Sequence, residues 1–223
     1  GLTIGEIVSL FADRDGLPRE ALSVIPCIGW QRDALASAWD RPFVMTSPNM
    51  PTEQTALVYP GGCLIEGTNL SEGRGTTRPF ELVGAPFIDG KRLAEELGAL
   101  ELGGFRARPV TFSPTFHKHA GAICGGLQIH VTEPSKFRPY ATYLALVALC
   151  QQQAPEHFRF RTERYEYVDD IPAFDLLTGS ARARERITAG TPLSEWLDEE
   201  SQTDEAWGDQ RKAALSAARG RAL

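Results

Sequence analysis

The chain has 223 residues, of which 42% are apolar and 23% charged, the composition of an ordinary globular protein. Its net charge of −6 argues against the phosphate backbone of a nucleic acid as the main partner. No apolar run reaches the roughly 20 residues of a membrane-spanning helix, so we predict no membrane span.

The beginning of the chain carries a helix signal. Residues 3–14 (TIGEIVSLFADR) place four apolar side chains at helical spacing, with Thr3 as N-cap and Glu6 completing a capping box. Residues 22–27 (LSVIPC) predict a short buried strand, and the proline-rich residues 40–51 predict a long loop. The sequence opens without an initiator methionine or a basic leader, so residue 1 is a processed end, a cloning boundary or an interior point of a longer protein.

The middle of the chain alternates strand and helix patterns. Helices are predicted over 52–58 and 89–99, and strands over 80–86, 105–112 and 126–132. Residues 139–152 (PYATYLALVALCQQ) are apolar almost all round and predict a buried helix with proline in its first turn.

Helices dominate the remainder, at 170–179, 192–200 and 205–219. Strands and helices do not alternate strictly, so we predict an α/β protein of α+β character, with a mixed sheet and flanking helices. We expect a cleft-forming mixed domain over 1–155 and a helical C-terminal extension over 156–223, packed on the same domain.

A polar, glycine-rich segment at 59–81 (YPGGCLIEGTNLSEGRGTTRPFE) is the strongest functional signal. Glycines allow close approach of a ligand, and the interleaved carboxylate, guanidinium, amide and hydroxyl groups can converge on a sugar or another polyhydroxylated molecule. The alternative is a structural loop with many internal hydrogen bonds. Candidate ligand-binding groups in the segment are Asn69, Arg74 and Thr76.

Glutamates within this segment are candidate catalytic groups. Glycosidases use two carboxylates, about 5–5.5 Å apart in retaining enzymes and about 6.5–9.5 Å apart in inverting ones. Glu66 and Glu72 can supply such groups, with Glu81 nearby. Alternatively, either glutamate forms an ion pair with Arg74 or Arg78 that holds the loop.

A second cluster lies at 115–126 (TFHKHAGAICGG). We predict that Lys118 and His119 bind or orient a sugar. Two alternatives remain open: His117 and His119 as half of a metal site, and Cys124 with His119 as a nucleophile and base. No further metal ligands accompany the histidines, and the four widely spaced cysteines contain no CxxC pair, so we predict neither a metal nor a cofactor.

Aromatic side chains near the polar segments are candidates for stacking on a sugar ring, although core packing is the usual role of such residues. They are Trp30, Trp39, Phe43 and Phe116.

Several collinear segments together resemble the NamZ-type exo-β-N-acetylmuramidases. The longest is ALVYPGGCLIEGTNLSEGRGTTRPFELVGAPFIDG at 56–90. Shorter matches are TIGE at 3–6, IGW at 28–30, DRPFVMTSPNMPT at 40–52, FSPTFHKHAG at 112–121, CGGLQIHV at 124–131 and FDLLTGS at 174–180.

The resemblance implies hydrolysis of a terminal β-linked N-acetylmuramic acid from the non-reducing end of peptidoglycan fragments, a substrate found outside the cytoplasm. It also implies two halves, and this chain resembles the C-terminal one, so its partner would be the Rossmann-like N-terminal half of the same protein. The family's proposed catalytic glutamate belongs to a Glu-His-Gly motif in that N-terminal half. Here Glu156 and His157 are followed by Phe158 instead, so the principal acid is expected upstream of this chain.

The resemblance and the residues leave three functional hypotheses. The first is the cleft-lining half of an exo-acting muramidase, with Glu66, Asn69, Glu72, Arg74, Thr76 and His119 in the cleft. The second is a non-catalytic sugar-binding or accessory module. The third is a Cys/His hydrolase based on Cys124, which would require sensitivity to thiol reagents.

Overall fold

The structure, a computed structural model, describes residues 1–202 and 205–221. Within these ranges it contains eight α-helices and three strands. In chain order they are α1 (Ile4–Arg14), α2 (Glu53–Gly62), β1 (Leu82–Ala85), α3 (Gly90–Gly98), β2 (Phe105–Phe112), β3 (Cys124–Val131), α4 (Pro139–Gln153), α5 (Ala173–Thr178), α6 (Arg182–Thr188), α7 (Leu197–Ser201) and α8 (Glu205–Arg221).

The three strands form one antiparallel sheet in the order β1-β3-β2. The alternation of residues 126–132 predicts the central strand correctly, with Leu127 and Ile129 buried and His130 exposed. Pro109 lies on β2, where a missing N–H is tolerated because β2 is an edge strand. The predicted α/β class is confirmed, with a sheet that is antiparallel rather than mixed.

Helix α4 is the centre of the core. Every residue from 141 to 150 is buried, because α2 and α3 both pack against it. The Tyr143 hydroxyl donates a hydrogen bond to the Phe80 carbonyl at 2.5 Å, which satisfies the only polar group of that side chain inside the core. The all-round apolar pattern of 139–152 therefore correctly predicts a buried helix.

The chain divides into two compact units. The first contains residues 1–34 with 202 and 205–221, and the second contains residues 35–201. The boundary predicted after residue 155 lies inside the second unit, and α8 belongs to the first unit, where it packs against α1.

Helix α1 has the predicted cap. Thr3 Oγ1 accepts from the Glu6 N–H, and the Glu6 carboxylate accepts from the Thr3 N–H at 2.7 Å. Its apolar residues are nevertheless exposed within this chain: Ile4 is 82% accessible, and Ile7, Val8 and Phe11 are each at least 40% accessible.

Two local predictions are wrong. Residues 22–27 are mostly exposed and form no strand, since only Val24 makes an isolated β-bridge and no strand is described in the same unit. Residues 192–200 do not form one helix, since a 3₁₀ turn at Leu193–Glu195 is followed by the separate helix α7.

None of the helices in the described ranges has both the length and the apolar character that crossing a membrane requires.

Candidate active site

The glycine-rich segment leaves α2 through a 3₁₀ turn at Cys63–Gly67 and then runs beside residues 157–161. Thr68 and Phe160 form an antiparallel bridge. The Asn69 amide donates to the His157 carbonyl and accepts from the Arg159 N–H, each at 2.9 Å. The segment is therefore fixed to a part of the chain that is distant in sequence.

A second tether joins the segment to the turn that contains His117 and His119. Thr115 donates both its N–H, at 3.2 Å, and its hydroxyl, at 2.8 Å, to the Gly75 carbonyl. Gly75 has φ +79°, and a Cβ there would lie 2.7 Å from the Thr115 and Phe116 nitrogens. Glycine is required here both by the left-handed backbone and by this close approach.

Arg74 joins the two candidate catalytic glutamates. Its Nε lies 2.8 Å from Glu72 Oε1, and its Nη2 lies 2.8 Å from Glu66 Oε1. Both carboxylates therefore share one guanidinium group, as the ion-pair alternative expects.

Glu72 is the buried centre of this cluster, with only 1% of its side chain exposed. Besides Arg74, its carboxylate lies 3.1 Å from His117 Nδ1 and 3.0 Å from Lys118 Nζ. The Lys118 ammonium also donates to the Ile65 carbonyl at 2.9 Å. The Glu72 carboxylate therefore fixes the positions of the Lys118 and His117 side chains.

Burial and neighbouring charges shift the pKa in opposite directions, both for Glu72 and for Lys118. Burial would raise the pKa of Glu72, but Lys118, a main-chain hydrogen bond and His117 outweigh it, so the pKa lies below its ordinary value. Burial lowers the pKa of Lys118, and this effect exceeds the opposing influence of Glu72 and Glu66. Because its pKa lies below the ordinary glutamate value, Glu72 is an anion at neutral pH.

Glu66 is more accessible than Glu72, with 15% of its side chain exposed. Its second oxygen, Oε2, accepts a hydrogen bond from the Tyr165 hydroxyl at 3.0 Å. Burial and the Glu66 charge raise the pKa of Tyr165 well above its ordinary range, so the phenol remains a donor. Of the two predicted catalytic glutamates, Glu66 is therefore the more accessible to solvent.

The turn carrying the two histidines has a strained backbone. His117 has φ +67° and His119 has φ +58°, in the left-handed region that favours glycine. Each such residue costs roughly 1–3 kcal/mol and persists where its surroundings fix it, often at a functional site. The His119 Nε2 donates to the Asn69 carbonyl at 2.7 Å, because a carbonyl can only accept.

A pocket of about 400 Å³ opens between these elements in the second unit. It is lined by the turn His117–His119, by Thr68 and Asn69, and by residues of the segment from Arg159 to Glu163. A larger cavity, of about 650 Å³, lies in the first unit against α1. The smaller pocket is the better candidate for a carbohydrate because several of the predicted site residues and two further arginines line it.

The predicted site residues thus have different positions. Lys118, His119 and Asn69 line the pocket, although the Asn69 amide already has internal partners. Thr76 closes a turn, with its hydroxyl donating to the Gly73 carbonyl at 2.6 Å. Arg74, Glu66 and Glu72 form the ion-pair cluster beside the pocket and are not among the residues that line it.

The third glutamate of the segment, Glu81, is a buried acceptor. It accepts from the Thr55 hydroxyl at 2.8 Å and is not part of the pocket wall. Sequence reasoning missed three residues of this region, Arg159, Arg161 and Tyr165. Their neighbours in sequence carry no motif, and they reach the site through hydrogen bonds between residues 67–69 and residues 157–161.

The Cys/His alternative receives no support from the geometry. Cys124 is buried, and burial raises the pKa of its thiol, which disfavours the nucleophilic thiolate. The contacts of His119 within the described chain are to Asn69 and to the ring of Phe87.

The described residues contain no group of three or more His, Cys, Asp or Glu side chains that could hold a metal ion. Of the aromatic candidates, Phe116 is 51% exposed beside the turn, whereas Trp30 and Trp39 each pack under an arginine of their own segment, Arg32 and Arg41.

Comparison with known families identifies the chain. The family model for the C-terminal part of exo-beta-N-acetylmuramidase NamZ matches residues 57–216, and the model for the N-terminal part matches residues 1–54. The chain belongs to the NamZ family. The sequence motifs predict that the chain resembles the C-terminal half. Residues 1–54 instead match the model for the N-terminal part.

A curated relative supports this membership. The peptidoglycan beta-N-acetylmuramidase NamZ of Bacillus subtilis (strain 168) is 40% identical over 215 residues, which is 96% of this chain and 50% of that protein. The chain therefore spans about half the length of this NamZ relative.

Two solved structures share the fold. Both are DUF1343 family proteins from Bacteroides fragilis NCTC 9343, with TM-scores of 0.76 and 0.62 at 22% and 23% sequence identity. They cover 97% and 96% of this chain, which corresponds to 56% and 55% of their own chains.

Proposed function

We propose that this chain supplies the cleft-lining part of a glycoside hydrolase that releases terminal β-linked N-acetylmuramic acid from the non-reducing end of peptidoglycan fragments. The observation that carries the proposal is the match of residues 57–216 to the NamZ C-terminal model, which spans the polar pocket and its ion-pair cluster. The 40% identity to a peptidoglycan β-N-acetylmuramidase supports the same activity.

The polar pocket suits this role chemically. Glycoside cleavage proceeds with two carboxyl groups, one that protonates the leaving oxygen and one that stabilises or attacks the anomeric carbon or activates water. Glu66 is the candidate for one of these groups, and the principal acid is proposed to come from the Glu-His-Gly motif of the other half of the protein. Glu72 acts behind the pocket by positioning Lys118 and His117.

The partner in this proposal is the N-terminal half of the same protein. Residues 1–54 match the N-terminal family model, and the apolar side of α1 is exposed within this chain. A contiguous exposed apolar surface is typical of an interface. We therefore propose that the remainder of the N-terminal half covers Ile4, Ile7, Val8 and Phe11.

The test is an assay of the full-length protein on a disaccharide with β-linked N-acetylmuramic acid at the non-reducing end. The expected product is free N-acetylmuramic acid, detected by mass spectrometry, with no cleavage of the corresponding fragment that ends in N-acetylglucosamine. No release of N-acetylmuramic acid, or equal cleavage of the fragment that ends in N-acetylglucosamine, would contradict the proposal.

The activity is also expected to be independent of metal ions. Two carboxyl groups suffice for glycoside cleavage, so dialysis of the full-length protein against a strong chelator should leave kcat/KM unchanged. A loss of activity that added zinc restores would contradict this expectation and would make His117 and His119 candidate ligands.

One observation favours the alternative of a sugar-binding module. Arg74 forms ion pairs with both Glu66 and Glu72, and Lys118 also pairs with Glu72, which leaves neither carboxylate unpaired within the described chain. If the full-length protein binds N-acetylmuramic acid without cleaving its β-glycosides, the sugar-binding role replaces the catalytic one.

A further inference from the structure

Most of the ionisable residues that line the pocket are basic, although the whole chain carries a net charge of −6 and the buried Glu72 pairs with Lys118 and His117. Lys118, Arg159 and Arg161 line it, together with His117 and His119, whereas Glu163 is its only carboxylate wall residue among those described. The Glu163 side chain is 76% exposed, and its oxygen lies 3.6 Å from Arg161 Nε, so solvent screens this ion pair.

Arg159 and Arg161 have no buried carboxylate partner among the described residues, so their positive charges are available to a ligand. Among the described residues, the Arg159 guanidinium donates to main-chain carbonyls of the segment 155–158 and to no carboxylate. Arg161 donates to the Arg164 carbonyl, and its guanidinium lies over the Tyr165 ring, 5.7 Å from the ring centroid. A guanidinium group in this setting can bind a carboxylate strongly through paired hydrogen bonds.

The turn His117–His119 gives a second, independent indication. The backbone at His117 and His119 is left-handed, as it is at Gly121 in the same turn, yet the two positions carry imidazoles rather than glycine. Strain of this kind is retained where the side chains it presents are needed. Here the turn places His117, Lys118 and His119 in the lining of the same pocket, with the Lys118 ammonium held by Glu72 and the Ile65 carbonyl.

From this convergence of Lys118, His117 and Arg161 on one pocket we infer that it binds a carboxylate carried by the substrate. This inference rests on the proposed function. N-acetylmuramic acid differs from N-acetylglucosamine by a lactyl ether that ends in a carboxylate, so this group is the one that the pocket would recognise. The pocket would then discriminate an acidic sugar from a neutral one.

The experiment compares two substrates of the full-length protein, a chromogenic β-N-acetylmuramide with a free lactyl carboxylate and its neutral methyl ester. Wild type should prefer the free acid by about 10-fold or more in kcat/KM, the amount expected for hydrogen bonds to a charged group. Added salt should raise KM for the acid but not for the ester. Equal kinetics on acid and ester, or an equal response to salt, would overturn the inference.

Substitutions of pocket residues test whether the preference for the free acid over the ester arises in this pocket. Arg161→Gln should bring the ratio of acid to ester close to one, whereas Arg106→Gln, an exposed arginine on β2, should keep the wild-type ratio. If Arg161→Gln does not fold, His117→Gln is the second variant, since the His117 side chain is 44% exposed. A folded variant that slows both substrates equally would show a structural role and contradict the inference.

A binding measurement separates this inference from the proposed function. If wild type cleaves neither substrate, the hydrolase proposal fails, and calorimetric titration with N-acetylmuramic acid and N-acetylglucosamine then decides on the carboxylate site. Tighter binding of the acidic sugar, lost in Arg161→Gln, would support the site. Equal binding of the two sugars would overturn it.

Discussion

Glu72→Gln is expected to lower the free energy of unfolding by roughly 3 kcal/mol, the cost of removing one partner from a buried ion pair. The carboxylate is 1% exposed and lies within 3.1 Å of groups on Arg74, His117 and Lys118. Glutamine keeps the shape but leaves the three basic groups without their shared anion. Urea denaturation of the full-length protein measures the loss.

The matched control is Glu133→Gln, which removes an exposed ion pair with Lys136. It should change the free energy of unfolding by less than about 1 kcal/mol. If Glu72→Gln is as stable as this control and loses activity instead, Glu72 acts on the substrate rather than as an anchor.

The stability loss should also depend on pH in a defined direction. Because the folded pKa of Glu72 lies below the ordinary value of 4.5, its contribution is present above pH 4.5 and disappears as the pH falls through the folded pKa. The difference in stability between wild type and Glu72→Gln should therefore shrink below pH 4.5. A constant difference between pH 7 and pH 3 would contradict the role of the charge.

Glu66→Gln is expected to lower kcat/KM of the full-length protein at least about 100-fold, the usual contribution of a positioned acid or base. Glu66 is the more accessible of the two glutamates, and its carboxylate is oriented by Arg74 on one oxygen and Tyr165 on the other. Steady-state kinetics on a β-N-acetylmuramide, with a melting curve for each variant, measures the effect.

Tyr165→Phe is the companion variant, because it removes one hydrogen bond and leaves the carboxylate in place. It should reduce kcat/KM less than Glu66→Gln does. If Glu66→Gln retains wild-type activity per folded molecule, Glu66 only holds Arg74 and Tyr165, and the second carboxyl group of the reaction lies elsewhere.

Local chemistry explains which elements could be predicted from the sequence. The cap of α1, the Asp89 cap of α3 and the apolar run of α4 are each set by side chains within a few residues of one another. The reduction of residues 22–27 to a single β-bridge at Val24 could not be predicted, since an apolar run forms a strand only if another strand is available for pairing.

The site was only partly predictable for a similar reason. The residues of 59–81 and the turn at 117–119 carry dense polar patterns, and the structure brings Asn69, Lys118 and His119 to one pocket. Arg161 and Tyr165 join them through main-chain pairing at Thr68, which no side-chain pattern indicates. The sequence likewise presents Glu66 and Glu72 as equivalent, whereas in the structure Glu72 is almost fully buried and Glu66 is partly exposed.

The most direct test of the central claim is a parallel assay of the 1–223 chain and the full-length protein on a chromogenic β-N-acetylmuramide. The family resemblance places the principal acid in the other half, and the chain spans about half the length of its curated relative. We therefore expect turnover by the full-length protein and none by the 1–223 chain, which should still bind N-acetylmuramic acid. Comparable turnover by the 1–223 chain alone would contradict the account, because the complete catalytic pair would then lie within these residues.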